Sequence, residues 1–130
     1  NYVLSQLRNE FHVPFPNQPC MHECLLTDAM QKDSGITTND IAKTLIEYGL
    51  HPMTVYFPLV VQGAMLIEPT ETETKASLDH FIAVMKMIAA ETKAGNVAAL
   101  QANPVSTPRK RLDEVKAARN PILKWTATAA

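Results

Sequence analysis

The sequence predicts an α+β fold, with a small, mostly antiparallel sheet and helices packed on one of its faces. Apolar residues recur at helical spacing in several segments, and short runs rich in β-branched or aromatic residues separate those segments. The predicted order is helix, strand, helix, strand, strand, helix. With 130 residues and 46% apolar content, the chain is long enough for one domain with a real core.

The chain opens with a predicted helix over residues 1–10, where apolar side chains fall at positions 3, 4 and 7. Pro14, Pro16 and Pro19 then indicate an extended loop. Because the first residue is asparagine and the apolar pattern starts at once, we expect this sequence to be a piece of a longer protein.

The run 20–26 predicts a short strand on which Cys20, His22 and Cys24 alternate and share one face. Thiolates and imidazoles are the usual zinc ligands, so this is a conceivable metal corner. No second Cys or His pair completes a zinc spacing, and we expect no metal. The preferred interpretation is a half-buried strand with Glu23 on its opposite face.

The next helix begins at Thr37, because Asp40 follows three residues later in a capping pattern, and Gly49 is its predicted stop. After the dipeptide His51-Pro52, the run 54–61 predicts a strand broken by Pro58. A second strand is predicted over 64–68. Loop residues at strand entries often have functional roles, so His51 is a candidate site residue, although a plain turn histidine is at least as good an interpretation.

The stretch from Glu68 to Glu73 joins that strand to a long helix predicted over 72–93. Thr70 and Glu73 have capping-box spacing, and carboxylates at this end suit the helix dipole. The stretch also places surplus acids beside helix-start amides, where active sites often hold polar groups. The sequence leaves the structural and the functional interpretation open.

The last part of the chain is basic. Residues 1–103 are predicted to form the domain and residues 104–130 an extended tail, with a helical turn at 97–102 before it and a weak helix at 112–118. Half of the basic residues lie in this tail: Arg109, Lys110, Arg111, Lys116, Arg119 and Lys124. We expect the tail to lie over the domain or to dock on a part of the protein outside this sequence.

Composition disfavours several classes of function. Twelve basic and thirteen acidic residues leave almost no net field, which argues against a nucleic-acid partner. No apolar run approaches the roughly 18 residues that span a bilayer, so no membrane partner is expected. The sequence has no Gly-rich phosphate loop and no Gly-flanked serine, which makes a stand-alone enzyme a poor prediction.

From His51 onward the sequence resembles a known family, the glycine cleavage system P-protein, or glycine dehydrogenase (decarboxylating). The resemblance rests on the motifs at 54–58, 65–73, 75 and 78–81, with matching segments at 22–23, 40–43, 111–114 and 117–119. The closing segment resembles the two-subunit bacterial form. One departure is Met53, where the family usually has proline before the threonine.

The resemblance implies a C-terminal domain of subunit 2, similar to the C-terminal small domain of fold-type I pyridoxal phosphate enzymes. The family decarboxylates glycine with pyridoxal phosphate and passes the aminomethyl group to the lipoyl arm of H-protein. The cofactor lysine is expected outside this chain, so the fragment alone is expected to be inactive and to bind no cofactor. Expected partners are the cofactor domain, subunit 1, lipoylated H-protein and glycine, in the bacterial cytoplasm.

The same resemblance implies a small domain that closes one wall of the active site. The candidate lining residues are Glu68, Thr70, Glu71 and Thr72, followed by His22, Glu23 and His51, with no specific catalytic role assigned. Two alternatives remain open. The predicted strand order is ferredoxin-like without its last strand, which would suit a ligand-binding regulatory module. The other alternative is a domain that supports subunit assembly.

Overall fold

The computed structural model describes residues 1–127 and confirms the α+β fold. The first two helices are each followed by strands, three further helices come after the last strand, and one short 3₁₀ turn lies at Lys32–Ser34. The elements are α1 (Tyr2–Leu7), β1 (Cys24–Thr27), α2 (Thr38–Glu47), β2 (Thr54–Val55), β3 (Ala64–Ile67), α3 (Lys75–Lys93), α4 (Val97–Ala102) and α5 (Glu114–Arg119).

The sheet has β3 at its centre, antiparallel to β1 on one side and to β2 on the other. Cys24 lies opposite Ile67, and Thr54 lies opposite Leu66. This is the ferredoxin-like order without its last strand. The order describes a topology that serves many functions, so it assigns none by itself.

The core lies between one face of the sheet and the helices. Alternate strand residues point toward α3, which crosses this face with α1 and α2 beside it. The buried core residues on the sheet and on α3 are Cys24, Leu26, Met65, Ile67, Ile82, Val84, Met85, Ile88 and Ala89. The opposite face carries Leu25 and Leu66, which are only half-buried.

The first strand is shorter than the predicted 20–26, because it begins at Cys24. Its partner β3 ends at Ile67 opposite Cys24, and Pro69 has no amide hydrogen with which to extend the ladder. The backbone N–H and C=O of Cys20 pair instead with the Asn1 side chain, at 2.9 and 2.8 Å. The prediction that Cys20, His22 and Cys24 share a strand face is therefore wrong.

The two cysteines are free thiols. Burial raises the pKa of the Cys24 thiol to about 11, with the nearby Cys20 thiol as a second cause. A buried thiol with so high a pKa is almost fully protonated near neutral pH, which makes it a poor nucleophile. Within residues 1–127, no group of three or more His, Cys, Asp or Glu side chains is placed to hold a metal ion.

The predicted strand at 54–61 is also too long, since β2 ends at Val55 before the expected break at Pro58. Tyr56 has φ 56°, in the left-handed region that turns the chain out of the strand. Its amide still donates to the carbonyl of Ala64 at 2.8 Å and closes the hairpin. Beyond it, residues 57–62 form a loop that leads back to β3.

The predicted cap of the long helix is wrong by about one turn. Helix α3 begins at Lys75 with Thr74 as N-cap, and Thr70 with Glu73 forms only a turn before it. A helix start displaced by four residues, close to one turn of 3.6 residues, leaves nearly the same apolar face toward the core. The periodic pattern therefore could not distinguish Thr70 from Thr74.

Other predicted elements are confirmed. Thr37 and Asp40 form the capping box of α2, with the Thr37 amide donating to the Asp40 carboxylate at 2.9 Å. Gly49 follows this helix with φ 73°, as expected for a stop. The helical turn at 97–102 is α4, and the weak helix appears as α5, two residues later than predicted. The opening helix ends at Leu7, short of the predicted residue 10.

The chain after α4 runs along α2. Glu47 accepts hydrogen bonds from the amides of Val105 (2.6 Å) and Ser106 (2.9 Å), and the Arg111 guanidinium pairs with Asp40 at 2.8 Å. The division into 1–103 and 104–130 stays a prediction, and its last three residues, 128–130, lie outside the described residues. Across the described chain, no helix has the length and apolar character needed to cross a bilayer.

Candidate functional site

A pocket of about 250 Å³ opens at one end of the sheet, between the loop that enters β2 and the connection from β3 to α3. Its floor is apolar and continuous with the core, while its rim is polar and, apart from the half-buried Ser77, exposed. The floor comprises Leu50, Pro52, Met53, Ile67, Pro69, Leu78 and Phe81, and the rim comprises His51, Glu68, Thr70, Glu73 and Ser77.

The sheet brings these two chain segments together. Because β2 and β3 are antiparallel, the entry to β2 and the exit from β3 lie at the same end of the sheet. His51 lies on the entry, after Gly49 has reversed the chain at the end of α2. Glu68 lies on the exit, directly after the buried Ile67. The pocket is therefore a product of strand pairing.

The connection between Glu68 and α3 is held by its own hydrogen bonds. The hydroxyls of Thr70 and Thr72 are 2.7 Å apart, and the amide of Glu73 donates to the carbonyl of Thr70 at 3.1 Å. These contacts hold Thr70 and Glu73 on the rim of the pocket. Glu71 and Thr72 are exposed, and their side chains do not line the pocket.

The other two candidate residues lie elsewhere. Glu23 lines a second cavity, of about 350 Å³, on the face of the sheet opposite the helices. His22 is exposed in the loop before β1. Of the residues proposed from sequence, the structure brings together His51, Glu68 and Thr70.

Two polar rim residues, Glu73 and Ser77, are not among the site residues predicted from the sequence. Glu73 had been assigned to a helix cap, a role that Ser77 actually performs for Thr74. Because Thr74 is the N-cap, Glu73 takes no part in the cap, and its side chain lies on the rim of the pocket. The signal that could have identified this is the second capping pattern, Thr74 with Ser77, four residues after the first.

The pocket is acidic. Glu68 and Glu73 stand on its rim, and none of the described residues that line it is a lysine or an arginine. Such a rim favours an amine or another cation over a phosphate. The carboxylates, the imidazole of His51 and the hydroxyls can hydrogen-bond a small polar molecule above the apolar floor.

A separate polar cluster joins α1 to α3 outside this pocket. The Tyr2 hydroxyl and the Lys75 ammonium both donate to Asp79, with Lys75 at 2.7 Å. These hydrogen bonds lower the pKa of Asp79, and the one from Lys75 has the largest effect. The hydrogen bond with Asp79 in turn raises the pKa of Lys75. All of these side chains are exposed, so the cluster is best explained as a surface contact between helices.

Comparison with known proteins points to one family. The profile described as "Glycine dehydrogenase, C-terminal domain" matches residues 1–109. The chain is 51% identical over its full 130 residues to the probable glycine dehydrogenase (decarboxylating) subunit 2 of Caulobacter vibrioides, of which it covers 25%. It is 52% identical over 125 residues, 96% of its length, to the protein of the same name from Staphylococcus epidermidis, of which it covers 24%.

A third relative, again a probable glycine dehydrogenase (decarboxylating) subunit 2, comes from Caldanaerobacter subterraneus subsp. tengcongensis. It is 48% identical over 126 residues, which are 97% of this chain and 26% of that protein. The chain thus spans about a quarter of the length of the curated relatives it matches.

Proposed function

Because the chain belongs to the family of glycine dehydrogenase C-terminal domains, we propose that it forms one wall of the active-site cleft of a decarboxylating glycine dehydrogenase. In this proposal the pocket edged by His51, Glu68 and Thr70 faces the cleft. The remainder of the enzyme supplies the reaction centre.

The convergence of these three residues is the observation that supports the proposal. His51 precedes β2, whereas Glu68 and Thr70 follow β3, and all three reach the rim of one pocket. A turn that serves only as a connection between a strand and a helix does not require an apolar hollow with an imidazole across from it. Concave sites with an apolar floor and a few convergent polar groups are typical of ligand binding.

The pocket residues do not fit the cofactor that the family implies. Pyridoxal phosphate requires a lysine for its carbonyl carbon and cationic or amide groups for its phosphate. The described residues that line this pocket offer neither a lysine nor an arginine, and two of them are glutamates. We therefore assign the cofactor to the part of the enzyme outside this chain and assign no chemical step to a residue of this pocket.

The proposed role is to shape and polarise the cleft. The parent enzyme would decarboxylate glycine and pass its aminomethyl group to the lipoyl arm of H-protein, and the acidic rim suits the amino group of that substrate. Its partners would be the cofactor domain, subunit 1 and H-protein, in the bacterial cytoplasm. With a net charge of −1, the chain has no field that would favour a nucleic acid.

The remaining candidate residues are assigned different places in the proposal. Thr72 would act as a positioning residue, because its hydroxyl contacts that of Thr70 at 2.7 Å. His22 and Glu23 stay predictions as cleft residues, since they lie away from this pocket. In this proposal Glu71 is assigned no part in the cleft, because its exposed side chain does not line the pocket, and it is therefore the natural comparison for Glu68.

The test is glycine-dependent carbon dioxide exchange by the complete enzyme, assembled with H-protein, carrying Glu68→Gln or Glu71→Gln. Both substitutions remove one exposed carboxylate from the same turn. If the pocket faces the cleft, Glu68→Gln lowers kcat/KM for glycine by about tenfold or more, whereas Glu71→Gln changes it by less than about threefold. Equal effects of the two variants, with folding intact, would contradict the proposal and leave the stretch a surface turn.

A further inference from the structure

The face of the sheet opposite the helices carries an exposed apolar surface, which we call the open face. It is built around Leu25 and Leu66, which lie opposite each other in the β1–β3 pairing. Val13, Phe15, Met21 and Phe57 surround them. Together these residues line the cavity of about 350 Å³ that contains Glu23.

The apolar side chains of this surface are unusually exposed. The exposed fraction is 88% for Met21, 56% for Phe15 and 54% for Phe57. In the hairpin loop that follows, Leu59 and Val60 are also exposed, at 87% and 90%, but they do not line this cavity. Scattered exposed apolar residues are normal, but a contiguous group around a hollow marks an interaction surface.

The charge of the open face fits a partner that buries it permanently. Of the described residues that line its cavity, only Glu23 is charged. Charged residues are depleted at the centres of stable interfaces, because removing them from water is costly. The open face thus resembles half of an internal domain contact.

The position of Asn1 indicates which polypeptide covers the open face. The Asn1 side chain is hydrogen-bonded to the backbone of Cys20, and Cys20 and Leu4 both line the cavity. In the relatives about three quarters of the polypeptide lies outside the matched segment, and the family description places that segment at the C-terminal end. The preceding polypeptide of such a subunit would therefore arrive at the rim of the open face.

We propose that the open face is the docking surface for the polypeptide that precedes Asn1 in glycine dehydrogenase subunit 2. This inference rests on the proposed function, since both place the domain within that enzyme. Leu66 on the open face and Glu68 on the rim of the candidate pocket are two residues apart, about 7 Å along a strand. A polypeptide docked on the open face would extend to the mouth of the pocket, where the proposed function requires the cofactor-bearing part.

The first test measures oxidation of methionine by hydrogen peroxide in the intact subunit 2, with the guanidine-denatured subunit as the reference rate. Met21 lies on the open face, whereas Met30, 52% exposed, lies in the turn after β1 and does not line the cavity. If the preceding polypeptide covers the open face, Met21 oxidises at least about tenfold more slowly in the folded subunit than in the denatured one. Met30 serves as the internal reference for protection elsewhere on the domain.

A protection of Met21 below that level in subunit 2 alone would overturn the proposal. Protection that develops only after addition of subunit 1, H-protein or a second copy would also overturn it, because the occupant would then be that partner. Glu68→Gln in the exchange assay gives an independent result. If Met21 is protected but the Glu68→Gln enzyme keeps its activity, the docking surface stands and the cleft assignment is wrong. If Met21 is not protected but Glu68→Gln lowers the activity, only the docking surface is wrong.

The second test compares Phe57→Lys with Tyr48→Lys in the intact subunit. Both aromatic side chains are about half exposed in this domain, at 54% and 48%, but Tyr48 lies at the end of α2 and does not line the cavity. We expect Phe57→Lys to accelerate proteolytic release of the domain by at least about tenfold, while Tyr48→Lys leaves it within about twofold. Equal release rates for the two variants would overturn the proposal.

Discussion

Thr74 and Ser77 exchange hydrogen bonds at the start of α3. The Thr74 hydroxyl accepts from the Ser77 amide at 3.1 Å, and the Ser77 hydroxyl accepts from the Thr74 amide at 3.0 Å. This reciprocal cap satisfies two amides that a helix start would otherwise leave unpaired. As a consequence, Glu68, Thr70 and Glu73, which precede the helix, are free to form part of the rim of the candidate pocket.

The first prediction concerns this cap. Thr74→Ala removes the hydroxyl that accepts from Ser77 and should lower the free energy of unfolding by about 1 kcal/mol. Thr70→Ala removes an exposed hydroxyl bonded only to that of Thr72 and should change it by less than about 0.5 kcal/mol. Urea unfolding of both variants measures the difference, and a larger loss for Thr70→Ala would show that the helix begins at the earlier position.

The second prediction concerns the close approach of Gly63 to Asp28. The Asp28 carboxylate accepts hydrogen bonds from the amide and hydroxyl of Thr38, and a Cβ on Gly63 would lie 2.0 Å from its Oδ1 atom. Gly95 has a similar positive φ, 83° against 66°, with no atom within 4 Å of an added Cβ. Gly63→Ala should therefore destabilise the chain by more than the roughly 1 kcal/mol that left-handed strain costs in Gly95→Ala.

Thermal or urea unfolding checks this ranking. In an Asp28→Ala background the obstructing carboxylate is absent, so the cost of Gly63→Ala should fall toward that of Gly95→Ala. If Gly63→Ala and Gly95→Ala cost the same in the native background, the close approach of Asp28 has no energetic consequence.

The third prediction concerns acid release of the C-terminal segment. Hydrogen bonds from Ser106, and then from Val105, hold the pKa of Glu47 below its ordinary value of 4.5. Because the pKa of Glu47 is lowered in the folded state, its hydrogen bonds with Ser106 and Val105 contribute their full stability above the ordinary pKa. That stability is lost as the pH falls through the lower folded-state pKa. Amide exchange at Ser106, corrected for intrinsic rates, should therefore become less protected below about pH 4.5.

The matched control is Glu47→Gln, which retains hydrogen-bonding oxygen but does not titrate in this range. Protection of the Ser106 amide should be weaker in this variant and nearly independent of pH over the same interval. A native chain whose protection does not change with pH would contradict the proposed anchor.

The fourth prediction concerns the ion pair between Arg111 and Asp40. Asp40 is 6% exposed, and Arg111 pairs with its Oδ1 while donating from Nε to the carbonyl of Asn103 at 2.8 Å. Because the Arg111 side chain is about one third exposed, we expect Arg111→Ala to cost only about 1 kcal/mol. Lys110→Ala, one residue away and exposed, should stay within about 0.5 kcal/mol, and equal losses in urea unfolding would show that the pair is unimportant.

Local patterns predicted the elements whose evidence is local. The capping box of Thr37 and Asp40 fixed the start of α2, since both partners lie within four residues and neither has a competitor nearby. Patterns failed where a choice depended on distant residues. The start of β1 at Cys24 depends on where its partner β3 ends, and the start of α3 depends on which of two capping patterns fits the packed helix.

The candidate site shows the same division. The sequence determined which residues are acidic, which are apolar, and that the stretch from Glu68 to Glu73 lies between a strand and a helix. Only the tertiary structure decided that His51 joins Glu68 and Thr70, whereas His22 and Glu23 do not. The reason is that antiparallel pairing places the entry to β2 beside the exit from β3, and the register that sets this arrangement is a contact between segments far apart in the chain.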